Sequence, residues 1–209
     1  MNKCMTLAAV AGLTTMAAAG PVEEFSLSLV GPADGISGST ITIDVYGNSS
    51  FGTHLLGGEF NLTSSGDTEA ISDIRWTPAE WSTANGLGEY DGNGNRNGVI
   101  FGQLIVFTDL FDFLPGPGSE LGSRIGSFQV DFHGGDVCLI DFGLSTSPNP
   151  DRFALKAADV DEVNRTVQTM DSSEGNLTLN GLSIDLLCPS PSGVALLGFG
   201  GLAVSRRRR

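Results

Sequence analysis

The chain is poor in the residues that most often carry chemistry. It has two histidines, His54 and His133, and neither sits in a nucleophile or metal motif. Its three cysteines, Cys4, Cys138 and Cys188, lack histidine partners at ligand spacing, which argues against a zinc site. Basic residues are few where they would matter. Of eleven, Lys3 and Arg206, Arg207, Arg208 and Arg209 lie at the ends, leaving six against 24 acidic residues between Pro21 and Leu187, a charge of about −18 for that segment. Such a surface repels nucleic acid and anionic membranes, so nucleic acid is excluded as a partner. No internal repeat is apparent, and neither terminal apolar run reaches the ~20 residues of an ordinary spanning helix. Within residues 20–187 no stretch keeps a helical apolar period beyond two turns, and Ala154 to Val163 is the one short candidate.

What is present is alternation. Phe25 to Leu29, Ile41 to Val45, Phe128 to Phe132, Leu177 to Leu179 and Leu182 to Leu186 place apolar residues at every second position. That is the period of a strand with one buried and one wet face. Val99 to Phe107 and Val137 to Leu144 are more uniformly apolar and predict central strands covered on both sides. Gly31 to Gly35 and Leu114 to Gly118 carry the Gly, Pro and Asp of turns. Many short strands between turns predict an all-β fold, an antiparallel β-sandwich or jelly roll of one domain over residues 20–187.

The ends read as targeting signals. Lys3 precedes an uncharged run that closes on Ala17-Ala18-Ala19, with Gly20 after it. A charged start, an apolar run and small residues at Ala17 and Ala19 make residues 1–19 a signal peptide, cut before Gly20 by signal peptidase after passage through the export machinery. At the other end Cys188 leads into Pro189-Ser190-Pro191-Ser192, an apolar stretch, and the four arginines. An Arg cluster stays on the cytoplasmic side, so the apolar stretch predicts a short membrane helix within residues 188–209.

This tail resembles the C-terminal sorting region of PEP-CTERM proteins, in its Pro-Ser-Pro-Ser form. Pro189, Pro191 and Ser192 stand at the motif's Pro, Pro and Ser, and Ser190 replaces its usual Glu. Ala195, Leu196, Leu197 and Gly198, with Arg206 to Arg209, match the helix and its basic end. The resemblance covers about the last 21 residues and implies an exosortase-like transpeptidase as partner. It also implies initial membrane anchoring and delivery to the cell envelope, surface or extracellular matrix. In the body, Gly58-Glu59-Phe60 and the later Gly126-Ser127-Phe128-Gln129-Val130 resemble the paired strands of cohesin-like domains, which implies a jelly roll of nine strands.

Three sets of residues are candidates for a site. Trp76, Trp81 and Tyr90 fall in one irregular region, where aromatic faces could stack on extracellular polysaccharide or a protein, or plug the core. Asp91, Asn93 and Asn95 alternate like the first ligands of a calcium loop, but Arg96 stands where its glycine belongs and Gly102 where its glutamate belongs. The alternative there is a polar connecting loop, so calcium is the only cofactor raised. Cys138 and Cys188 remain after signal removal and are the candidate disulfide in an oxidising compartment. The expected function is that of a non-catalytic exported envelope or matrix protein sorted through its tail. The alternative is a carbohydrate- or protein-binding module at the surface, and a third reading is a secreted hydrolase.

Overall fold

The computed structural model of the protein describes residues 22–107, 112–134, 138–149 and 151–187. The signal and tail residues, the two terminal helices expected there, and Cys188 lie outside these. Among the described residues there is no α-helix, one 3-10 turn (Thr68–Ala70) and fifteen strands. No helix among them is long and apolar enough to cross a membrane.

The strands are β1 (Glu24–Val30), β2 (Asp34–Ile36), β3 (Thr40–Ser49), β4 (His54–Gly66) and β5 (Ile71–Pro78). There follow β6 (Gly86–Tyr90), β7 (Arg96–Gly102), β8 (Val106–Phe107), β9 (Asp112–Phe113) and β10 (Arg124–Phe132). The last five are β11 (Cys138–Thr146), β12 (Lys156–Asp161), β13 (Thr166–Asp171), β14 (Asn176–Asn180) and β15 (Leu182–Leu187). One sheet has the order β14-β1-β3-β10-β5, and the other the order β13-β12-β4-β11-β15-β2 with β7 and then β6 added beside β4. A small β8–β9 hairpin stands apart. Strand β4 is the pivot of the larger sheet: Gly57 pairs with Lys156 and Gly102, and Phe60 with Thr146 and Val99. So β11 and β12 follow one another along one side of β4, while β7 occupies the other.

The alternating runs become strands because one face of each is needed for a common core. Phe25, Leu27, Ile43, Val45, Phe128 and Val130 of the smaller sheet are buried against Leu55, Phe60, Leu62, Ile140 and Ile184 of the larger. Phe60 sits at the centre, edge-on to Trp76 at 5.6 Å, Phe101 at 5.9 Å and Phe128 at 6.1 Å. Each fully buried side chain of this size contributes about 1.5–3 kcal/mol by leaving water. The two Gly-x-Phe segments therefore meet across the sandwich, and their glycines make the room. A Cβ on Gly126 would lie 2.3 Å from the Trp76 ring, and one on Gly58 would lie 2.1 Å from the Ala154 carbonyl oxygen.

Several expectations are corrected. The sandwich is not wholly antiparallel, since β1 pairs with β14 and β2 with β15 in parallel. Strand β2 takes part of the expected Gly31 to Gly35 turn, and the strands exceed nine. The candidate helix at Ala154 to Val163 is instead β12, held between β4 and β13 with Ala157 and Ala158 buried. Sheet pairing there overrides a weak helical preference. The run from Val99 to Phe107 breaks after Gly102, where the Gln103 N–H donates to the Leu56 carbonyl and its side chain to the Leu55 carbonyl. Neither β7 nor β11 is covered on both faces: Ile100 is half-buried between buried Val99 and Phe101, and Leu139 and Asp141 are exposed.

Candidate functional site

The outer face of the larger sheet carries a groove. Between β11 and β12 residues 147–149 and 151–155 lie outside the sheet, and the Phe153 carbonyl accepts from the Glu59 N–H of β4 at 2.9 Å. This detour walls a cleft of about 310 Å3 whose floor is the backbone of Gly57, Gly58 and Gly102, with Leu56 and Ile100 beside it. Arg152 and Lys156 stand on the wall, the Lys156 ammonium 5.4 Å above the Phe153 ring. They are two of the six basic residues between Pro21 and Leu187. Glu59 also lines a second hollow of about 330 Å3, with Asn61, Glu89 and Asn97, so the two lie side by side with Glu59 between them. One end of the groove is thus cationic and the other, at exposed Glu89, anionic.

Glu59 at the junction is committed. Its carboxylate accepts from the Ser147 hydroxyl at 2.6 Å and from Arg152 Nε at 3.4 Å. Asn61 is nearly buried and ties three strands: its Nδ2 donates to the Thr146 carbonyl at 3.1 Å, and its Oδ1 accepts from the Gly98 N–H at 2.8 Å. Glu59 and Asn61 are therefore held in place by hydrogen bonds to neighbouring segments of the chain.

The aromatic candidates do not line it. Trp76 and Trp81 are 4% and 5% exposed, so their ring faces are core rather than a sugar platform. Trp81 Nε1 donates to the Arg124 carbonyl at 3.0 Å, whereas Trp76 Nε1 is buried without a partner among the described residues. Tyr90 is half-buried and donates its hydroxyl to the Ile71 carbonyl at 3.2 Å. Burial pushes that hydroxyl's pKa up, Gly94 opposes, and nearby Asp91 and Asp73 add to the rise.

The calcium candidates form a self-satisfied turn. Asp91 Oδ1 accepts from the N–H groups of Asn93 at 2.7 Å and Asn95 at 3.1 Å, and Oδ2 from Asn95 Nδ2 at 2.8 Å. Burial alone would raise the Asp91 pKa, but these bonds from Asn95 and Asn93 outweigh it and hold the carboxyl below its usual range. Asn95 Oδ1 accepts from the Ser64 N–H at 2.8 Å and so faces β4. The described residues contain no group of three or more His, Cys, Asp or Glu placed to hold a metal. Cys138 opens β11, and its candidate partner Cys188 lies outside the described residues.

No family model matches the chain, and no curated protein matches it. Solved structures it is similar to include cohesin modules. One is the seventh ScaB type I cohesin of Pseudobacteroides cellulosolvens, 9% identical with a TM-score of 0.42, covering 81% of this chain and 96% of that one. A second is the cohesin module of a family 33 glycoside hydrolase from Clostridium perfringens, 10% identical, TM-score 0.41, covering 78% and 96%. A third is a type II cohesin domain from the cellulosome of Acetivibrio cellulolyticus, 13% identical, TM-score 0.41, covering 78% and 95%. Likeness of this degree carries neither a ligand nor a partner across to this chain.

Sequence reasoning missed the groove and the role of Arg96. That residue opens β7, and its guanidinium donates to three carbonyls, those of Leu87 at 2.7 Å, Gly88 at 3.2 Å and Ile74. It stitches β6 to the edge of β5. Burial lowers its pKa and Asp73 raises it. No spacing rule reveals such a residue, because its partners are backbone oxygens on other strands.

Proposed function

We propose that the body is a non-catalytic protein-binding module, and that its groove takes an extended peptide segment of a partner. The observation that carries this reading is the groove's opposite charge at its two ends, Arg152 and Lys156 at one and Glu89 at the other. A segment with an apolar side chain for the glycine floor, a carboxylate toward Lys156 and a basic group toward Glu89 fits it. Electrostatic complementarity of this kind sets orientation and specificity. The burial of Trp76 and Trp81 weighs against sugar stacking, and the engagement of Glu59 by Arg152 and Ser147 weighs against acid–base work. The test is selection from a peptide display library on the immobilised protein, beside a glycan array. Enriched peptides should pair acidic and basic residues several positions apart and lose binding to Lys156→Glu, Glu89→Lys and Leu56→Glu. Peptides that bind all three variants as well as the parent, or hits on glycans alone, would remove the reading.

The module is exported and sorted through its tail, in the same proposal. The support is the sequence of residues 1–20 and 189–209, with Ala17 and Ala19 before the cut and the Pro189 to Ser192 motif before the Arg cluster. Intact mass of the protein from separated membrane and extracellular fractions tests it. Loss of the residues before Gly20 and of those beyond the motif is expected; a membrane species still ending in Arg209 would reduce the tail to a plain anchor.

A further inference from the structure

Cations are scarce in the body, and two of them share one hollow. Of the six basic residues between Pro21 and Leu187, Arg75 pairs with Asp73 and Asp131, and Arg124 with Asp44, on the smaller sheet. Arg96 serves three carbonyls, and Arg165 lies on the hairpin between β12 and β13. The other two, Arg152 and Lys156, line the same cleft of about 310 Å3. In a body of about −18, two cations beside one hollow mark it for an anion.

Neither cation is used up within the fold. Arg152 meets Glu59 through Nε, at 3.4 Å, which leaves its two Nη groups without a protein partner among the described residues. Glu59 is itself held by the Ser147 hydroxyl, so it sets the direction of the guanidinium. The Lys156 ammonium rests over the Phe153 ring and has no carboxylate among the described residues. Beside these charges the cleft is apolar, lined by Leu56, Ile100 and Phe153. Its ligand therefore combines a carboxylate with an apolar body.

Size decides what carries the two together. About 310 Å3 is at the bottom of the range for ligand sites, about 300–1,000 Å3, so the cleft takes one residue rather than a run of them. An aspartate or glutamate inside an extended segment brings a carboxylate without an apolar body, and its immediate neighbours point to the opposite face. A C-terminal leucine, isoleucine or phenylalanine brings both from one Cα. We infer that the cationic end of the groove is a seat for the free C-terminus of a partner polypeptide that ends in an apolar residue. The seat presupposes the reading of the groove given above and fixes where the bound segment stops. Glu89 stands opposite Asn97, three residues along β7 from Ile100, or about 10 Å. A basic residue three positions before the terminus reaches it, whereas an internal acidic residue fills the seat only in part.

The probe is an acetylated tetrapeptide of arginine, two glycines and leucine, made as the free acid and as the C-terminal amide. Each is titrated into the isotope-labelled full chain in mild detergent, and the amide resonances of Gly57, Gly58 and Gly102 are followed. The free acid should shift them saturably and bind about tenfold more tightly than the amide, as the loss of a charge-assisted hydrogen bond requires. Lys156→Gln, at a side chain with no ion pair among the described residues, should keep the fold and lose that preference. No shift with either form, equal binding of acid and amide, a preference undiminished in Lys156→Gln, or hexanoate binding as tightly as the free acid each overturns the proposal. The broader reading survives any of these if displayed peptides still lose binding to Glu89→Lys and Leu56→Glu, and fails if they do not.

Discussion

Replacing Arg96 by alanine isolates what a single side chain adds at an otherwise open sheet margin. Its guanidinium serves the carbonyls of Leu87, Gly88 and Ile74, on two strands that the Tyr90 hydroxyl also ties through the Ile71 carbonyl. A hydrogen bond to a charged group is worth about 1.5–3 kcal/mol when shielded, and much less when water can replace it. The Leu87 bond is exposed and the other two partly buried. Discounting accordingly, Arg96→Ala should cost about 2–3 kcal/mol, or a fall in Tm of roughly 4–12 °C for a domain of this size. Urea unfolding followed by tryptophan fluorescence is the assay, because Trp76 sits on β5 beside the lost clamp. Arg96→Lys should recover no more than about a third of the loss, since an ammonium cannot serve three diverging carbonyls as a planar fork does. A loss under about 1 kcal/mol for alanine, or full recovery with lysine, would show that β5 and β6 are held by something else.

Other substitutions probe other parts. Gly126→Ala places a methyl group into the Trp76 ring and should cost about 3 kcal/mol or more, seen as a lower urea midpoint and red-shifted tryptophan emission. Trp81→Phe keeps the edge contact with Phe101 but orphans the Arg124 carbonyl, for a loss of about 1–2 kcal/mol by the same unfolding assay. The depressed pKa of Asp91 stabilises the fold above the ordinary carboxyl range and loses that contribution as pH falls through the folded value. Because the group is largely solvated, the effect is a few tenths of a kcal/mol, and Asp91→Ala should flatten the stability curve below about pH 4 by that much. Millimolar calcium should leave the melting temperature of the parent chain unchanged, since the oxygens of Asp91 already accept protein donors.

Period-two alternation was enough to locate β1, β3, β10, β14 and β15, because each buries one face and wets the other. It failed where burial and pairing part company. The helix-like Ala154 to Val163 holds alanines small enough for either state, and only the neighbouring β4 decides for a strand. Parallel pairing of β1 with β14 joins residues about 150 positions apart, which no local pattern encodes. The aromatic residues of Arg75 to Trp81 were visible, but not the direction they face: Gly126, far along the chain, opens the space that draws Trp76 inward. The groove was illegible for a similar reason. Its floor is glycine backbone and its charges come from β6, β12 and the detour between β11 and β12.

The two parallel pairings have a consequence for when the chain can become stable. Strand β1 lies between β3 and β14, and β2 is held to the sheet by β15, so the earliest strands take their places beside the latest. Contacts that span nearly the whole sequence close slowly, because the entropy of the long loop is lost before the pairing returns anything. A chain emerging stepwise carries β1 with one open side until β14 has appeared, and β11 until β15 has. Completion of the sandwich therefore waits on the emergence of residue 187, and a chain stalled short of β14 leaves β1 and β11 each open along one side.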